Sequence, residues 1–231
     1  MAGEPAEARM RGKHPSEDVI YSRLVDAIIQ KNLRPGQHLN EAKLAEAHGV
    51  PRSRVRRVLE RLRGENVVTF ELHRGAFISR PTVKEAFDVY EARRDIELSV
   101  LRLTCERANQ ADVERLRQHL DAEAAAFSTG AADVNQISGD FHILLGSMSR
   151  NPVLEKILVT LVRRWVLIQS VYERQRDTLC LTHEHGRIVD CIAEKRVDDA
   201  LAELARHFDH IFDALELTDN RRAQADIYDP S

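Results

Sequence analysis

The chain has 231 residues, is 43% hydrophobic and 31% charged, and carries a formal net charge of −3. That length suits one or two domains with ample core, and no apolar run approaches the roughly 18 residues a membrane-spanning helix needs. The small net charge hides an asymmetry: residues 1–80 hold fifteen Lys and Arg against ten Asp and Glu, and the remainder holds nineteen against twenty-seven. A basic segment joined to an acidic one points to a nucleic-acid-binding half and a half with another task.

Residues 1–15 read as a disordered lead-in. They lack the apolar stretch of a secretory signal, so the expected location is the cytoplasm. Ser16 is a good N-cap for a first helix running to about Asn32, with Ile20, Leu24, Ala27 and Ile28 on its buried face. Arg34-Pro35-Gly36 breaks that helix. A second helix, near Glu41 to His48, leads through Gly49 into an arginine-rich third.

From Pro51 to Arg63 there are six arginines and a single acid, Glu60. Val55, Val58, Leu59 and Leu62 recur at i, i+3, i+4 and i+7, the spacing of one apolar helix face. Stepping about 100° per residue from Val55 places Arg56, Ser53 and Arg57 outward and Arg52 at the edge. Pro51 suits the first helical position, where its missing N–H has no partner anyway. A helix of this kind after a Gly turn can enter the DNA major groove, where Arg donates two parallel hydrogen bonds to guanine. A solvated basic helix is the plainer alternative.

Val67-Val68-Thr69-Phe70 and Ala76-Phe77-Ile78 read as two strands joined by His73-Arg74-Gly75. Arg74 at the tip can reach phosphate or minor groove, and Gly75 permits a close backbone approach. Together these elements predict a winged helix-turn-helix over residues 16–80. The candidate DNA-binding residues are Arg52, Ser53, Arg54, Arg56, Arg57, Arg74 and Gly75.

Pro81 closes that unit and Thr82 caps the next helix. Helices are predicted near 82–108, 110–128, 131–149, 151–176, 180–195 and 197–217, with a polar tail over 218–231. Residues 81–217 are therefore expected to form an all-helical bundle, and the fold class is mainly α. Cys105, Cys180 and Cys191 are far apart and odd in number, which predicts no disulfide framework and no zinc ribbon.

Two arginines fall on apolar stripes: Arg93 among Val89, Ile96, Val100 and Leu103, and Arg164 among Ile157, Leu161 and Ile168. A buried arginine needs a carboxylate, a bound anion or water. Both are candidate effector contacts, with an internal salt bridge as the alternative (Glu91 or Glu97 for Arg93). His185 shares a face with Ile188, Val189 and Ile192. His142 flanks the stripe of Phe141, Leu144, Leu145 and Met148, and His207 borders that of Leu204, Phe208 and Ile211. His210 points outward. Three histidines from three helices could share one Zn²⁺ or Ni²⁺, or could be separate core residues.

The chain resembles the GntR family of bacterial transcription regulators, in the FadR subgroup with an FCD-type C-terminal domain. LRPGQHLNEAKLAEAHGVPRSRVRRVLERL and RGAF carry the N-terminal likeness. YEARRDIE, DFHILLGSMSRNPVLEKIL and EHGRIVDCIAEKRVDDALAELARHF carry the C-terminal one. The resemblance implies a dimeric regulator on a near-palindromic operator, more often a repressor, with a six- or seven-helix bundle binding a small carboxylate effector. It also implies a metal on His142, His185 and His207; the Asp that relatives place four residues before the first histidine is Ser138 here. Two rival readings are a metal-dependent hydrolase built on those histidines and an architectural DNA-binding protein without a ligand. The first leaves the arginine helix without a purpose, and the second leaves Arg93 and His185 unexplained.

Overall fold

In the computed structural model, residues 15–29, 32–129, 134–173 and 179–217 are described. Most of the predicted lead-in, the tail over 218–231 and the side chains of Asn135 and Cys180 lie outside them.

Ser16 Oγ accepts from Val19 N at 3.3 Å and opens α1, Glu17–Ile29. After the turn at Gly36 comes β1, His38–Leu39, a strand of two residues and too short to show any periodicity. Asn40 caps α2, Glu41–His48, by accepting from Ala42 N and Lys43 N at 3.0 Å. Gly49, at φ 62°, ends it in the left-handed conformation that a side chain disfavours. The next helix, α3, runs Arg52–Gly64 and buries Val55, Val58, Leu59 and Leu62, so Pro51 is its N-cap rather than its first helical residue.

β2, Val68–Glu71, and β3, Gly75–Ile78, form the wing. The order β1-β3-β2 is antiparallel throughout, with Leu39 opposite Ala76 and Glu71 opposite Gly75. The wing is thus the outer hairpin of a three-stranded sheet, anchored through β1. Ile20, Leu24, Leu39, Val55, Leu59, Leu62 and Ile78 fill one core beneath these elements.

Thr82 Oγ1 accepts from Glu85 N at 3.1 Å and starts α4, Val83–Arg107. The chain continues through α5 (Gln110–Thr129), α6 (Val134–Met148), α7 (Pro152–Tyr172), α8 (Leu179–Ala193) and α9 (Val197–Asp213). Asn151 caps α7 through Val153 N and Leu154 N, with Pro152 in the first turn as its missing N–H favours. A second core of Val89, Leu101, Phe141, Leu145, Trp165, Ile188, Leu204 and Phe208 holds the bundle together. Leu167 of α7 is buried in the N-terminal core instead, so one bundle helix packs in both. No helix among the described residues is long and apolar enough to cross a membrane.

Candidate functional site

The outward face of α3 presents Arg52, Ser53 and Arg56, all exposed. Arg54 and Arg57 instead contact residues at and just before the start of α1. Arg54 Nη1 donates to Pro15 O at 3.2 Å, and Arg57 donates to Glu17 Oε1 from Nε at 2.8 Å and from Nη2 at 2.5 Å. In the wing, Arg74 pairs with Glu71 and lies 5.1 Å from the Phe77 ring centroid, which holds it at the tip. Gly75, at φ 89°, takes a conformation side chains rarely adopt, and a Cβ there would stand 3.1 Å from His38 Nε2, so that ring would have to shift. His73, at φ 59°, completes the tight tip.

In the bundle, α6, α8 and α9 bring His142, His185 and His207 together, all fully buried, with one nitrogen from each lying within 4.8 Å of the others. Every Nδ1 is held by a glutamate. His142 Nδ1 lies 2.5 Å from Glu97, His185 Nδ1 2.9 Å from Glu123, and His207 Nδ1 2.9 Å from Glu184. A carboxylate accepts, so Nδ1 carries the hydrogen and Nε2 presents a lone pair. The Nε2 atoms of His185 and His207 are 3.4 Å apart. Two lone pairs facing each other at that distance, away from water, repel unless a cation lies between them. The three histidines could hold a Zn²⁺ ion through their imidazole nitrogens.

Burial drives the electrostatics here. It lowers His207 to about 3 and His142 well below the usual imidazole range; the neighbouring histidines push both in the same direction, and Arg93 adds to the shift at His142. Neutral imidazole is the ligand form. Burial would raise Glu123 and Glu184, yet their hydrogen bonds to His185, and to His207 and His210, carry both below the ordinary carboxylate value. Glu97 is raised by its complete burial, with the charge of Arg93 opposing.

Arg93 is 2% exposed and donates from Nε to Glu97 Oε1 at 2.6 Å, so the internal salt bridge exists. It also lines a cavity of about 20 Å³ beside the histidines, together with Ser138, His142, Trp165, Gln169 and His207. The Trp165 indole Nε1 is buried there without a hydrogen-bond partner among the described residues. Ser138 faces the cavity one turn before His142, and its hydroxyl bonds to Glu123. Asp140 points the other way, into a space beside α1. Arg164 lies outside the cavity lining: Nη2 donates to Glu85 Oε1 at 2.6 Å, which is the salt-bridge alternative. His210, read as simply outward, pairs with Glu184.

Glu123 and Glu184 were not among the sequence candidates. Glu123 left a trace, falling on the apolar stripe Val113, Leu116, Leu120 and Phe127 of α5. Glu184 left a trace too, four residues before Ile188 and seven before Cys191 on the buried face of α8.

Two family comparisons match. "Bacterial regulatory proteins, gntR family" covers residues 17–78, and "FCD domain" covers 88–210. The Nta operon transcriptional regulator of Aminobacter aminovorans is 29% identical over 205 residues, 87% of this chain and 94% of the relative. The HTH-type transcriptional regulator LutR of Bacillus subtilis is 25% identical over 207 residues, 79% of this chain and 93% of its own length. Among solved structures, Escherichia coli McbR/YncC superposes with a TM-score of 0.76 at 17% identity, covering 85% of this chain and 95% of that one. These matches leave the hydrolase reading without support. The chain belongs to the GntR family of bacterial transcription regulators, a DNA-binding winged helix-turn-helix joined to an FCD domain.

Proposed function

We propose that this regulator is a homodimeric repressor whose FCD domain binds a metal ion on His142, His185 and His207 and, through it, a small carboxylate. The observation that carries the reading is the set of three inward nitrogens, each histidine braced at Nδ1 by its own glutamate. Bracing of that kind fixes ring orientation and raises ligand basicity, and metal sites depend on it. Zn²⁺ and Ni²⁺ fit an all-imidazole donor set best. The bound ion would supply a positive charge and open coordination positions to a carboxylate oxygen.

Arg93 stands at the same cavity as a second positive group, and Trp165 Nε1 is a donor awaiting an acceptor. Both suit an anionic, oxygen-bearing ligand. At about 20 Å³ the cavity admits an ion and little more, whereas metabolite pockets run to hundreds of Å³. Effector entry therefore requires the helices around it to move apart, which is the change a regulator needs. A two-fold dimer would set two α3 helices on successive major grooves, about 34–36 Å apart along a near-palindromic operator.

Metal analysis of freshly purified protein by mass spectrometry tests the reading. About one Zn²⁺ or Ni²⁺ per chain is expected, lost in each of His142→Ala, His185→Ala and His207→Ala. Protein that arrives without metal and takes up neither ion would sink it.

A further inference from the structure

Helix α7 has two working faces. Val162, Trp165, Val166 and Gln169 line the histidine cavity. Arg163 and Leu167, on another side of the same turns, reach the DNA-binding unit. Leu167 is buried in its core, and Arg163 Nη1 donates to Glu65 Oε1 at 3.0 Å. Glu65 is the C-cap of α3, the helix that carries Arg52 and Arg56. It also accepts from the Tyr21 hydroxyl and lies 3.7 Å from Arg61 Nε. The Tyr21 ring has Arg61 4.0 Å and Arg163 4.6 Å from its centroid. One carboxylate, one phenol and two guanidiniums thus tie α7 to the end of the recognition helix.

The surroundings of this clamp make it consequential. On either side the two units part, leaving a space of about 240 Å³ lined by Tyr21, Asp26 and Asp140 and another of about 540 Å³ lined by Arg61, Lys156 and Val159. Gly139, Val162 and Val166 line both the first of these spaces and the histidine cavity, so the partition is one layer of side chains thick. A Cβ at Gly139 would lie 3.3 Å from Val162 Cγ1, which shows how closely α6 and α7 meet there. Packed interiors shift between discrete arrangements rather than stretching. Val162 packs at the cavity together with His142 and His207, so an ion held by those histidines acts on the same lining, and Arg163 is the next residue along the chain.

We infer that Arg163, through Glu65 and Tyr21, is the positioning residue that couples the state of the histidine cavity to the recognition helix. The inference rests on the ligand-responsive reading of that cavity. It predicts that losing the Arg163–Glu65 pair leaves DNA binding and metal binding in place while separating them.

Trp165, the only tryptophan in the chain, is a native reporter at the cavity wall. The experiment uses the full chain, a duplex selected by it from a random library, and Zn²⁺ as the probe. Trp165 emission and duplex affinity are measured for the wild type, Arg163→Gln, Glu65→Gln and the double variant. In the wild type, Zn²⁺ is expected to change duplex affinity by about 5–150-fold, and the duplex to change Trp165 emission. In each variant Zn²⁺ and duplex still bind, the coupling falls below about twofold, and the double variant loses no more than either single one. Variants that keep the wild-type coupling overturn the inference, as does a wild type that binds Zn²⁺ but shows neither response. If the wild type binds no Zn²⁺, the metal reading fails by itself and the Trp165 response to duplex decides: lost in the variants, it supports Arg163; kept, or absent from the wild type, it refutes it.

Discussion

Glu184 Oε2 accepts from His207 Nδ1 at 2.9 Å, while its other oxygen accepts from His210. One side chain on α8 therefore orients a buried imidazole of the cavity and ties down a half-exposed one at its edge. Glu184→Gln keeps the shape but removes the charge that fixes the His207 tautomer. Metal affinity is expected to fall about 10–100-fold, with Glu123→Gln behaving alike through His185. Competition with a chromophoric chelator measures it, and an unchanged affinity would mean that the glutamates only fill space.

Ser138 lines the cavity one turn before His142. Ser138→Asp is expected to tighten Zn²⁺ binding by about tenfold or more, by adding an oxygen ligand to three nitrogens. The same change removes the hydroxyl that bonds to Glu123 and sets two acids close together. Without metal, the variant should therefore melt below the wild type. Calorimetry with and without Zn²⁺ reads both effects, and a variant stabilised without metal would contradict the geometry.

Acid should destabilise the metal-free protein through its histidines. His207 titrates near 3 when folded, against an ordinary value of 6.5. Between those values the unfolded chain binds a proton that the folded chain refuses, so stability rises with pH and is lost as pH falls through the window. The slope from this histidine is at most about 1.4 kcal/mol per pH unit. Glu123 and Glu184, held below the carboxylate range, add their own loss only at more acidic pH. Urea unfolding at pH 7, 6 and 5 should show a shallower pH dependence for His207→Gln than for the wild type; equal slopes would place the titration elsewhere.

The arginines of α3 should divide by their partners. Arg52→Ala and Arg56→Ala remove exposed groups aimed outward, each expected to cost about 1–3 kcal/mol and to relax preference at one base position. Arg57→Ala should cost less, because Glu17 already holds that guanidinium. Glu17→Gln, which frees it, is expected to strengthen sequence-independent binding and steepen the salt dependence of log K by up to about one unit. Fluorescence anisotropy across a salt series separates these outcomes; equal losses for Arg56 and Arg57 would show that the α1 contact opens on DNA.

Much of this molecule is written locally. The period of Val55, Val58, Leu59 and Leu62 orients the recognition helix, Asn40 and Thr82 start their helices, and Gly75 closes the wing, all without long-range help. The inward face of His185 is legible for the same reason. Other features needed the assembled chain. The strand at His38–Leu39 exists because β3 pairs with it. Arg164 could be a ligand contact or a salt-bridge partner by sequence, and only the fold supplies Glu85, 79 positions away, as its partner. Helical periodicity tells which face a residue occupies, but not the crossing and register of one helix against another. Those are set by side-chain packing between helices, and they alone bring three histidines, three glutamates and Arg163 to where they can act together.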